Sequence, residues 1–141
     1  MSEDTALIVS AALGGVVTAA ATAAATWFIT VRVERARRRE RIFDALAVVL
    51  AEVESNRREL ESHERDEVDL SGLRDGRLTI GDWTANKGAA AGLAATEASL
   101  WNDLSALYDD FHRTLRLGAT PPSAARVLTV ETRLTEQLKD R

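Results

Sequence analysis

The chain of 141 residues contains no cysteine. Disulfides and thiolate metal sites are therefore excluded, and an unstapled fold suits a reducing compartment. Proline is confined to the adjacent pair Pro121 and Pro122, and no glycine occurs between Gly15 and Gly72. A long stretch of the chain thus carries no helix-breaking signal. Histidine occurs twice, at His63 and His112, without the spacing that builds a metal pair on one helix. No glycine-rich phosphate loop is present, because Gly88 and Gly92 lie among alanines without the lysine such a loop needs. Ser71 and Ser123 lack the context of an activated nucleophile. Charge, finally, is missing from the 27 residues between Thr5 and Val31.

That uncharged run is long enough for a helix to cross the roughly 30 Å of a bilayer's hydrocarbon core. It is only moderately apolar, since alanine, glycine, serine and threonine fill the places between Leu7, Ile8, Val9, Leu13, Val16, Val17 and the Trp27–Ile29 group. A cleaved signal peptide competes with this reading, but such a leader starts with basic residues, and this chain starts with Ser2-Glu3-Asp4. Positive charge gathers instead on the far side, at Arg32, Arg35, Arg37, Arg38, Arg39 and Arg41. The positive-inside rule then places the N-terminus outside and the remainder in the cytoplasm. The expected organisation is a short extracytoplasmic N-terminus over 1–5, a transmembrane helix over 6–31 and a basic juxtamembrane collar over 32–41. The arginines set topology and have the chemistry to bind anionic head groups. Trp27 and Phe28 stand where an interfacial aromatic anchor belongs.

Small residues recur along the span. Ser10, Gly14, Thr18, Thr22, Thr26 and Thr30 are spaced by four, with Gly15 in a parallel row. Such rows permit close helix–helix approach in lipid, and Ser10, Gly14, Gly15, Thr18 and Thr22 are the candidate association residues. The competing reading is that the hydroxyls bond the preceding turn of their own helix.

Beyond the collar, residues 42–141 are predicted to form an antiparallel three-helix bundle, with helices at about 33–66, 80–117 and 121–139. The fold class is all-α: a single N-terminal transmembrane helix continuing into a cytoplasmic bundle. Ile42, Leu46, Val49, Val53 and Leu60 make a heptad-like, coiled-coil stripe. Asn56 takes a core place in it, either fixing register or bonding the backbone of the Val68–Gly81 loop. Glu52, Arg58, Glu59 and Arg65 are assigned to a solvated face, in preference to a buried carboxylate cluster of Glu52, Glu54 and Glu59 near Asn56. Asp75-Gly76 signals a turn, Leu70, Leu73 and Leu78 are expected to cap the bundle end, and a short hairpin is the alternative for this loop. Thr79 is predicted to start the second helix through a capping-box-like sequence. Gly88 and Gly92 mark either a break in that helix or a close crossing. Gly118 is predicted to end it, with Thr120 and Pro121 starting the last.

From Ile42 onward eighteen acids face twelve bases, which suits no nucleic acid. No catalytic, metal or cofactor constellation is expected, and no small-molecule substrate is indicated. The sequence favours a membrane-anchored interaction or structural protein whose partners are the bilayer and either further copies of itself or another membrane protein. A holin-like or pore-forming effector is the first alternative and a membrane-bound signalling adaptor the second.

Overall fold

The computed structural model of the chain describes the backbone of residues 3–139 and the side chains of residues 21–139. It is all-helical, with no strand among the described residues. Two compact units divide it, Met1–Arg39 and Glu40–Arg141.

Helix α1 spans Glu3–Glu64. Its length follows from the absence of glycine and proline after Gly15 and from the abundance of alanine, leucine, glutamate and arginine. It stops where Asp66 adopts a left-handed φ of 59°. There the Asp66 amide donates to His63 O at 3.0 Å and the Glu67 amide to Ser62 O at 3.0 Å, satisfying carbonyls of the last turn. His63 Nδ1–H reinforces this end by donating to the Val68 carbonyl at 2.6 Å.

In the Met1–Arg39 unit, the described side chains are exposed apart from a half-buried Val31. Among the described residues no helix is long and apolar enough to cross a membrane. The side chains of the expected span up to residue 20 lie outside the described residues.

The Glu40–Arg141 unit is a helical bundle. A single turn, α2 (Leu70–Gly72), is capped by Asp69, whose carboxylate accepts from the Gly72 amide and the Ser71 hydroxyl, each at 2.8 Å. A wide turn over Leu73–Arg77 follows, closed by the Leu78 amide on Leu73 O at 3.0 Å. Gly76 supplies the positive φ of 106° that this turn needs. Leu73 and Leu78 are buried and Leu70 packs against the core, so the segment caps the bundle end. It is tied to two helices, through Arg77 to Glu59 at 3.2 Å and through Arg74 Nε to Leu115 O at 3.3 Å.

Three more helices complete the unit: α3 (Gly81–Ala90), α4 (Ala98–Leu117) and α5 (Ala124–Lys139). Their directions alternate with that of α1. As α3 advances from Asp82 toward Gly92, its neighbours on α1 descend from Glu52 to Ile42. On α4 and α5, Asp110 pairs with Arg126 and Asp103 with Arg133, an antiparallel match. The Glu64 carboxylate accepts from the Ala124 amide and Arg57 pairs with Glu131, so α5 also runs against α1. The bundle therefore has four legs rather than three. The stripe Leu46, Val49, Val53 and Leu60 meets Leu104, Phe111, Val127 and Leu134 in one core.

The difference from the expected single helix over 80–117 has a local cause. Ala91–Ala95 tighten into a 3-10 segment, Glu97 is non-helical at φ −138° and ψ 64°, and Leu93 O takes both the Thr96 and Glu97 amides at 3.0 and 2.7 Å. The chain reverses there. Gly92 serves both predicted roles, break and close crossing: a Cβ on it would lie 2.3 Å from Ile42 Cδ1. Gly88 serves neither and faces open space.

Gly118 ends α4 as predicted, at φ 65°, its amide on Thr114 O at 3.1 Å. The last helix begins three residues later than predicted. Thr120 to Pro122 lie in the connection between α4 and α5, and Ser123 Oγ caps α5 by accepting from the Arg126 amide at 3.3 Å. With Ser123 in place the two prolines sit before the helix, where neither removes a helical hydrogen bond.

Candidate functional site

The polar centre of the bundle is built on two α1 residues one turn apart, Glu52 and Asn56. Asn56 is fully buried (0% exposed). Its Nδ2 donates to Thr79 O at 2.7 Å, and its Oδ1 accepts from the Thr79 amide at 2.9 Å. The side-chain amide thus meets both backbone groups of one loop residue, as a neighbouring strand would. Of the two readings of Asn56, the geometry is that of a bond to the Val68–Gly81 loop. With the Thr79 carbonyl engaged by Asn56, the first helical bond runs from the Thr84 amide to Ile80 O at 3.0 Å, and Ile80 rather than Thr79 stands at the N-cap.

Glu52 corrects the solvated face expected for it. It is 4% exposed and its carboxylate accepts three hydrogen bonds. The Asp82 amide donates at 3.1 Å, the Trp83 amide at 2.9 Å and the Tyr108 hydroxyl at 2.8 Å. Helix α3 has Ile80 at its N-cap and no side chain of its own to satisfy its first amides. Glu52 does so from another helix, placing a negative charge at the positive end of the α3 dipole. Glu59, from the same expected face, is half-buried against Arg77, while Arg58 and Arg65 are exposed.

Aromatic rings close over this carboxylate. Trp83 stacks on Tyr108 with centroids 4.8 Å apart and planes 10° from parallel, and Trp101 and Phe111 pack at the flanks. Burial pushes the Tyr108 hydroxyl far above the ordinary phenol range, and the negative Glu52 beside it adds to the shift. Tyr108 is therefore a fixed donor. With all three donors coming from the fold, the Glu52 carboxylate is an internal clamp that joins α1, α3 and α4.

On the outside of this cluster lies a shallow cleft of about 220 Å³, where Lys87, Asp109 and His112 flank the Trp83 and Tyr108 rings. Lys87 Nζ sits 5.6 Å from the Trp83 ring centre. His112 and His63 are far apart in role: one is exposed on α4, the other bonds a backbone carbonyl. Among the described residues no group of three or more His, Cys, Asp or Glu could hold a metal ion.

The other singled-out residues lie in the first unit or at its edge. The side chains of Ser10, Gly14, Gly15 and Thr18 lie outside the described residues. Thr22 is exposed, and its carbonyl accepts from Thr26 Oγ1 at 2.9 Å, while Thr30 Oγ1 donates to Thr26 O at 2.8 Å. Arg32, Arg35, Arg37, Arg38, Arg39 and Arg41 are all exposed. The Arg32 guanidinium stands 5.1 Å over the Phe28 ring.

In the sequence a solvated Glu52 outweighs a buried one, because a glutamate one position from a stripe is ordinarily solvated. One signal pointed the other way: Glu52 stands four residues before a core asparagine.

No protein-family model matches the chain, and neither a curated protein nor a solved structure matches it. Its class is thus defined by the fold alone: an all-α bundle with a buried, carboxylate-clamped polar centre.

Proposed function

We propose that the chain is a membrane-anchored helical interaction protein without catalysis of its own. In this reading the uncharged run from Thr5 to Val31 crosses the cell membrane with the N-terminus outside, and the Glu40–Arg141 bundle stands in the cytoplasm. The anchor associates with further copies or with another membrane protein. One observation carries the reading: Trp27, Phe28 and Ile29 are 68%, 55% and 63% exposed on α1, directly before the arginines. Three adjacent large apolar residues left bare on a helix call for lipid or a partner helix to cover them. The cluster at Glu52 supports the absence of catalysis, since its acid and its phenol are bonded to each other and to backbone. The pore-forming alternative gains no such support. The Thr26 and Thr30 hydroxyls donate into their own helix and leave a lumen no free donor there.

The cysteine-free sequence makes the test direct. Single variants Ser2→Cys and Ser123→Cys are exposed in intact cells to a membrane-impermeant maleimide. Labelling of the first from outside, and of the second only after lysis, is the expected result, with the protein retained in membranes through alkaline extraction. Recovery of the protein in the soluble fraction, or labelling of both positions from the same side, defeats the proposal.

A further inference from the structure

The first unit holds a second pattern, in the angular placement of its arginines. At about 100° per residue, Arg32, Arg35 and Arg39 cluster on one side of α1, Arg38 extends that side and Arg37 lies nearly opposite. Together the five wrap roughly 220° of the helix circumference. All are exposed. A helix made to lie flat on a bilayer gathers its basic residues along the flanks of one apolar face. Between Arg32 and Arg39 the only uncharged residues are Val33 and Ala36, too little to form such a face. Just before this segment the exposed residues are aromatic and aliphatic, and Arg32 already reaches back over the Phe28 ring at 5.1 Å. Charge around most of the circumference, one turn beyond bare aromatics, matches a helix passing steeply through a surface of phosphates.

We propose that Arg32, Arg35, Arg37, Arg38 and Arg39 form a girdle that selects anionic phospholipid head groups around the helix, with Phe28 marking the acyl boundary. This deepens the anchoring reading and rests on it for bringing the helix to a bilayer. Guanidinium groups and lipid phosphates are matched in charge and hydrogen bonding. Each basic residue near an anionic surface changes partition by about fivefold. Nucleic acid offers the same phosphate chemistry, but the bare Trp27–Ile29 group has no counterpart on a duplex exterior.

The full chain is reconstituted in mixed phosphatidylcholine and phosphatidylglycerol vesicles, and the lipids retained on the purified protein are weighed by native mass spectrometry. The wild type is expected to retain phosphatidylglycerol several-fold above its bulk share. The triple variant Arg35→Gln, Arg38→Gln, Arg39→Gln should fall to the bulk share, while the corresponding triple lysine variant keeps the enrichment. Glutamine and lysine both suit a helix, and circular dichroism verifies that both variants fold. Insertion with no enrichment in the wild type overturns the girdle and leaves the anchor standing. Enrichment unchanged by glutamine, or lost equally with lysine, overturns it too. Failure to insert in any vesicle overturns both readings. Duplex DNA displacing phosphatidylglycerol from the inserted protein assigns the arginines to nucleic acid and overturns the lipid proposal.

Discussion

Replacing Glu52 by alanine leaves the buried Trp83 amide and Tyr108 hydroxyl, and the part-buried Asp82 amide, with no acceptor. Each unmade buried bond costs about 1–3 kcal/mol, and the three share one acceptor, so a total loss of about 3–5 kcal/mol is expected. Tyr108→Phe removes a single donor and should cost about 1–2 kcal/mol. Chemical unfolding midpoints measure both, and equal effects for the two variants would deny Glu52 its place at the centre. Tyr108 also sets a pH dependence. Its folded value is raised above the ordinary 10.0, so the unfolded phenol releases its proton first. The stability it carries is complete below about pH 10 and is lost as pH rises from there, by about 1.4 kcal/mol per pH unit. Tyr108 is the chain's only tyrosine, so tyrosinate absorbance reports it alone. No tyrosinate should form in the alkaline native state before unfolding, and Tyr108→Phe should flatten the alkaline decline. A tyrosinate signal in the folded protein near pH 10 would contradict the buried bond to Glu52. At this scale the apolar core was legible in the sequence, because Leu46, Val49, Val53 and Leu60 recur at helical spacing. Glu52 was not, because its burial depends on amides thirty residues away that only the folded chain brings to it.

Among the elements, the two glycines of the α3 region separate a packing role from a conformational one. Gly92→Ala places a Cβ 2.3 Å from Ile42 Cδ1 and 2.9 Å from Ile42 Cγ1, so α1 and the 3-10 segment must separate or Ile42 must change rotamer. A loss of about 1–3 kcal/mol follows. Gly88→Ala meets no atom within 4 Å inside α3 and should gain about 0.5–1 kcal/mol from helix propensity. In the Gly92→Ala background, Ile42→Ala should recover part of the loss, giving a non-additive double-mutant cycle. Thermal unfolding of the four variants checks this, and additive effects would show that the two residues do not press on one another. Element types and most boundaries followed from periodicity and caps, as at Gly118 and at the Asp75-Gly76 turn. The reversal after α3 followed only in part. Gly92 marked the place in the sequence as either a break or a close crossing, but the alanines around it favour helix on both sides, and the full reversal comes from the fit of Gly92 against Ile42 together with the shared Leu93 carbonyl. That extra turn converts the expected three legs into four. Likewise the Pro121 start gave way to Ser123 because its hydroxyl stands one residue before the helix and can reach the Arg126 amide.

At the scale of the whole molecule, the division after Arg39 makes a quantitative demand. Every residue of the buried apolar core, from Ala45 to Leu134, lies within the Glu40–Arg141 unit. The described side chains before Glu40 contribute none, and Trp27, Phe28 and Ile29 are bare. Removing residues 1–39 therefore takes away the exposed Trp27–Ile29 group and none of the core residues from Ala45 to Leu134. The fragment 40–141 is expected to fold alone, with helical circular dichroism, a single cooperative thermal transition and a stability within about 1 kcal/mol of the bundle in the full chain. Without the bare aromatic segment it should run as a monomer on a calibrated column, whereas the full chain in mild detergent should exceed monomer mass. Two results would count against this account. A fragment that melts without cooperativity would mean that the first unit completes the fold. A fragment that self-associates as strongly as the full chain would move the association surface onto the bundle, where Leu117 and Leu128 are the large apolar side chains left exposed on α4 and α5. The same pair of proteins then separates anchoring from assembly, because membrane retention should follow residues 1–39 whichever unit carries the self-contact.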